Sequence, residues 1–156
     1  AGMGCTPVQT LLNSGNAVFR APGPVTAARA AGLAAGLVQA LRAELGLEVP
    51  VVVKSARAWA ALVAGNPFAV VPDASRLLVA VAQDAAALRA LSAITPRVVA
   101  PEAFVVGPEA AYLHCPAGIL DSAAATALLG KVGQAVTTRN WATTLKIQAA
   151  VQQLQG

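Results

Sequence analysis

An α+β fold with ferredoxin-like element order, whole in the second half of the chain and partial in the first, is predicted by three observations. Tight-turn signals stand at Ser14-Gly15-Asn16 and Gly107-Pro108, apolar runs of strand length flank them, and capped alanine- and leucine-rich helical stretches follow each hairpin. In the first half, residues 1–70, VQTLL and AVFR on either side of the Ser14-Gly15-Asn16 turn predict a hairpin. Pro22 and Pro24 then precede a helix in which Leu33, Leu37, Leu41 and Leu45 recur every fourth residue, with Gly46 placed to end it. Glu48 to Lys54 is β-branched and reads as a strand. Ser55 caps a short helix carrying Trp59, Leu62 and Val63, and Asn66-Pro67-Phe68 turns the chain after it.

The second half, residues 71–156, opens with the apolar strand Leu77 to Ala82. Asp84 caps a helix bearing Leu88 and Leu91. Strands at Phe104 to Val106 and Tyr112 to Cys115 follow, then a helix started by Asp121 or Ser122 and ended near Gly133. Val136 to Thr138 suits an edge strand, and Asn140 to Leu154 adds a C-terminal helix. The order strand, helix, strand, strand, helix, strand is the split βαβ pattern of a ferredoxin-like unit. The first half shows only strand, strand, helix, strand, so it reads as incomplete at its N-terminus.

Composition narrows the function classes. The chain has 156 residues, 56% of them hydrophobic, which is enough for a core and excludes disorder. Its mean hydropathy of +0.63 comes largely from alanine. The most apolar helical stretch, Ala27 to Leu41, is interrupted by Arg29 and Gln39, so no membrane span is expected. No basic start leads into an apolar run, which predicts a cytoplasmic protein. The net charge of +4 permits an acidic partner, but the cations are scattered from Arg20 to Lys146, which favours small anions over nucleic acid. Cys5 and Cys115 read as reduced thiols. With one histidine, His114, and no Cys-x-x-Cys pair, no metal site is expected. Neither G-x-S-x-G nor G-x-x-x-x-G-K occurs, and no cofactor is predicted.

The densest group of specific polar side chains is TTRNWATTLK, residues 137–146. Thr137, Thr138, Arg139 and Asn140 run from a strand end into a helix, where free backbone amides and a guanidinium suit a phosphate or carboxylate, with Lys146 as a helper. Asn140 equally suits a helix cap, and Trp141 a core position. Ser14 and Asn16 join the candidate ligand-binding set, although Gly and Asn are also what a tight hairpin needs. His114 and Cys115, as strand neighbours, point to opposite faces and cannot pair as a nucleophile and base. The carboxylates show no pairing motif, so no catalytic residue is assigned and the question of an enzyme stays open.

Four blocks carry a family resemblance: Ser14-Gly15-Asn16 with Phe19; Asn66-Pro67-Phe68; Tyr112-Leu113 with Pro116, Gly118 and Ser122; and Thr137-Thr138-Arg139-Asn140-Trp141 with Thr143 and Lys146. In these the chain resembles the bacterial domain-of-unknown-function family DUF1697. The resemblance implies two ferredoxin-like halves and brings no established reaction, substrate or cofactor. It also implies an opening strand with an Arg-Gly-Ile-Asn-like stretch and a helix, which this sequence does not contain. The expected function is a binding domain for an anionic small molecule or phosphate group at 137–146. The alternative is an interaction or assembly module that pairs sheet edges, as in a homo-oligomer. A hydrolase or transferase using Ser or Thr hydroxyls ranks last, because no general base is visible.

Overall fold

The computed structural model describes residues 8–11, 15–68 and 71–155. The first hairpin pairs β1, Val8–Leu11, antiparallel with β2, Asn16–Phe19, placing Val8 opposite Phe19 and Leu11 opposite Asn16. Gly15 supplies the positive φ of 78° that the turn requires. Helix α1, Ala27–Leu45, starts where the Thr26 hydroxyl accepts from the Arg29 amide and stops at Gly46, whose φ of 65° lets its N–H reach the last carbonyls. The leucine stripe faces inward at Leu33 and turns outward by Leu45, which is 66% exposed.

Residues 48–54 depart from expectation. They are β-branched but pair with no strand among the described residues, and Pro50 lacks a donor in any case. Among the described residues, the backbone partner of this segment is the Gln83 side chain, which accepts from the Val53 N–H and donates to its carbonyl, both at 2.8 Å. Helix α2, Ala56–Ala64, is capped by Ser55, and Asn66 then accepts from the Phe68 amide in a local turn. The indole of Trp59 donates to the Thr144 carbonyl at 3.2 Å, which ties α2 to the last helix.

A four-stranded antiparallel sheet forms the centre of the molecule. Its strands are β3, Leu77–Ala82; β4, Ala103–Val106; β5, Ala110–His114; and β6, Val136–Asn140. The order is β4-β5-β3-β6, so β3 is central and β6 is an edge, as its sequence suggested. Helix α3, Ala85–Ala90, capped by Asp84, and a 3-10 run over Leu91–Arg97 link β3 to β4. Helix α4, Ala123–Leu129, links β5 to β6, and Ser122 rather than Asp121 is its cap. Helix α5, Trp141–Gln155, closes the chain.

Strand alternation gives this sheet two apolar faces. Leu78, Ala80 and Leu113 pack with Leu88, Ile94 and Leu128 of the α3–α4 layer. Leu77, Val79, Val81 and Tyr112 pack with Trp59 and Leu62 of α2 and with Ile147 of α5. A third, smaller cluster joins Ala30, Leu33 and Ala34 of α1 to Val53, with Phe19 beside them. The whole is an α+β fold. No helix among the described residues is long and apolar enough to cross a membrane.

Candidate functional site

Register decides which residues of β6 can act together. Arg139 stands opposite Val79 and Thr137 opposite Val81, on the sheet face turned toward α2 and α5. Thr138 stands opposite Ala80, on the other face. Asn16 arrives from β2, and its Oδ1 accepts from Arg139 Nε at 2.7 Å. Arg139 Nη1 also donates to the Thr138 carbonyl at 2.9 Å. These bonds use only part of the guanidinium's donor fork.

Arg139 is half-buried, and burial pulls its pKa below the ordinary arginine value. It remains a cation, because an arginine pKa starts far above neutrality. Among the described residues no carboxylate pairs with it; the ion pairs there are Arg42 with Glu48 and Arg76 with Asp73, both at the surface.

The guanidinium borders a cleft of about 960 Å³. Leu33, Leu37 and Leu41 of α1 and Ile147, Val151 and Leu154 of α5 contribute apolar walls, with β2 and residues 49–54 also at its margin. Among the described residues its charged lining is Arg20, Lys54 and Arg139, with no Asp or Glu. The surface therefore offers apolar area and positive potential together, a combination suited to a ligand with an acidic group and a hydrophobic body.

Of the residues singled out from sequence, Thr137, Arg139 and Asn16 meet at this cleft. The others go elsewhere. Asn140 caps α5, its Oδ1 accepting from the Thr143 amide at 2.9 Å, while the Thr144 hydroxyl donates to the Asn140 carbonyl. The helix start is thus occupied by its own side chain at the position where an anion was expected. Lys146 is exposed and does not line the cleft. Ser14 lies outside the described residues, as does Cys5.

His114 and Cys115 are divided by the sheet as their adjacency requires. The imidazole lies 5.4 Å from the Phe68 ring, whereas Cys115 is fully buried on the face of Leu113, where burial raises the thiol pKa. No group of three or more His, Cys, Asp or Glu among the described residues is placed to hold a metal ion.

Sequence reasoning missed Arg20, Lys54 and the apolar walls. Leu37 and Leu41 read only as members of a helical repeat, because nothing local distinguishes a leucine that meets a neighbour from one that meets a cleft.

Residues 1–112 match the family described as Protein of unknown function (DUF1697). That stretch includes the Ser14-Gly15-Asn16 hairpin and Asn66-Pro67-Phe68 and ends at Tyr112, short of β6 and α5. No curated protein and no solved structure matches the chain.

Proposed function

Since the chain belongs to the DUF1697 family, whose description names no activity, we propose its function from the cleft itself: a binding domain for a carboxylate or phosphate joined to an apolar body. One observation carries this reading. Arg139 is half-buried beside an apolar cleft with no carboxylate partner among the described residues. A partly desolvated cation without a counter-charge is unfavourable, and an entering anion would supply that charge at its unused donors. The reading shifts the expected contact from the helix-start amides to the guanidinium, because Asn140 already caps the helix. In this proposal the ligand sits where residues 1–70 meet residues 71–156.

Titration with decanoate and with inorganic phosphate, followed by amide and guanidinium NMR, tests it. Decanoate is expected to shift the Arg139 side-chain signal and amides of β2 and of residues 51–53, with inorganic phosphate binding more weakly for want of an apolar body. Arg139→Gln is expected to lower decanoate affinity about tenfold, the scale of one lost charge-assisted hydrogen bond. Unchanged spectra at millimolar decanoate, or equal affinity in the variant, would remove the proposal.

A further inference from the structure

We infer that Gln83 is a positioning residue for the segment 49–54: its side-chain carboxamide stands in for a strand neighbour and fixes the faces taken by Val51, Val52 and Val53, and with them the place of Lys54. This role is independent of any ligand in the cleft.

The bond pattern is the first support. A carboxamide carries the same donor and acceptor as a peptide group, and two residues of an antiparallel hydrogen-bonded pair exchange both N–H···O bonds. Gln83 makes that exchange through its side chain. Its Oε1 accepts from the Val53 N–H and its Nε2 donates to the Val53 carbonyl, each at 2.8 Å.

The anchor is itself held on both sides. Gln83 follows Ala82, the last residue of β3, which pairs with Val136 of β6, and it precedes Asp84, whose Oδ1 accepts from the Ala87 amide at 2.8 Å to cap α3. Its side chain therefore starts from a fixed backbone. The side chain is half-buried, so its bonds to Val53 compete with less water than surface bonds do.

The sequence of the segment supplies the need for such an anchor. Val51 and Val53 pack with Ala30, Leu33 and Ala34 of α1, whereas Val52 packs against the cluster of Trp59 and Leu62, which is the period-two alternation of an extended chain. A slip of one residue exchanges those faces. Because all three positions are valine, a slip that brings Val52 to the place of Val53 presents α1 with the same side chain, and the apolar pattern discriminates poorly between the two registers. Paired bonds to one residue's N–H and C=O do discriminate. Lys54 borders both the large cleft and a second cleft of about 360 Å³ beside Gln83 and Asp84, and a one-residue slip would carry it about 3.3 Å along the chain.

NMR of the full chain with two substitutions tests this. Gln83→Met keeps the length and removes both hydrogen-bonding groups. It is expected to lower protection of the Val53 amide against exchange about tenfold and to bring NOEs from the Val52 methyls to Leu33, which in the parent belong to Val53. Gln83→Glu adds a readout that loss of packing would not give. An ionised carboxyl accepts from the Val53 N–H but cannot donate to its carbonyl, whereas the protonated acid does both. The folded state therefore favours the proton and raises the introduced group's pKa, so parent-like protection is expected below pH about 4 and is lost as pH rises through the raised value. Lys54, Asp84 and Glu109 border the same second cleft and titrate in the parent too, so the parent's protection at each pH is the reference. Unchanged Val53 protection in Gln83→Met overturns the assignment. Lost protection with Val52 and Val53 still on their own faces gives the register to the Ser55 cap and overturns it as well. A Gln83→Glu profile parallel to the parent's overturns the paired exchange, and should Gln83→Met fail to fold, that profile decides alone.

Discussion

The hydroxyl of Tyr112 donates to the Leu62 carbonyl at 2.5 Å, deep between β5 and α2. Leu62 lies in the last turn of α2, where carbonyls lack intrahelical partners, so one phenol satisfies a helix end that water does not reach. Tyr112→Phe leaves that acceptor buried and unpaired and is expected to cost about 1–2 kcal/mol in urea unfolding. A pH effect accompanies it. Burial, with Glu109 nearby, pushes the phenol pKa from 10.0 up to about 12, so the folded state keeps the proton that the unfolded chain releases first. Stability from this group is complete below pH about 10 and falls as pH rises toward about 12, and Tyr112→Phe should flatten that part of the curve. Because the chain has a single tyrosine, absorbance at alkaline pH reports the group directly. Neither this bond nor that between Arg139 and Asn16 was legible in the sequence. Their partners are 50 and 123 residues apart, and no local pattern encodes a contact made only by tertiary packing.

Local chemistry made the elements far more legible. Ser55, Asp84 and Gly46 sit at helix ends because a hydroxyl or carboxylate satisfies orphan amides and glycine accepts positive φ, all within a few residues of the sequence. The segment 48–54 shows the limit of that logic. β-branched residues suit an extended backbone, but a strand also requires a neighbour, and among the described residues Gln83 is what answers. Glycines give a sharper contrast, since their roles depend on surroundings the sequence does not display. A Cβ at Gly133 would lie 1.7 Å from the Leu128 carbonyl oxygen, against backbone that cannot yield cheaply. Gly133→Ala should therefore cost more than about 1 kcal/mol. Gly32, inside α1, has open space around it and an ordinary helical backbone, so Gly32→Ala should add about 0.5–1 kcal/mol through helix propensity. Thermal unfolding of the two variants checks both signs, and a loss at both positions would show that α1 packs more tightly on its glycine face than the open space there implies.

At the scale of the whole molecule, apolar packing is unevenly distributed. The β3–β6 sheet is covered on both faces, with Val79 and Leu113 of its strands and Ile94 of the layer packed against it fully buried, while α1, β2 and residues 49–54 leave half-buried leucines around a cleft. Burial in a close-packed core stabilises through contacts on every side, whereas a side chain facing a cleft forgoes part of them. Two truncations of the same residue type should therefore differ. Leu113→Ala opens a cavity under the sheet and is expected to cost about 2–5 kcal/mol, while Leu41→Ala, on the cleft wall, is expected to cost less than about 1 kcal/mol. Ligand should then separate them a second time. Decanoate at about 100 times its dissociation constant stabilises a protein that binds it only when folded by about 2.7 kcal/mol. That gain should persist in Leu113→Ala, shrink in Leu41→Ala as wall area is lost, and shrink again in Arg139→Gln as the counter-charge contact goes. Urea unfolding of the three variants with and without decanoate measures each quantity. Equal costs at Leu41 and Leu113 would mean that the protein's own side chains already close the cleft, and the binding surface argued from it would not exist.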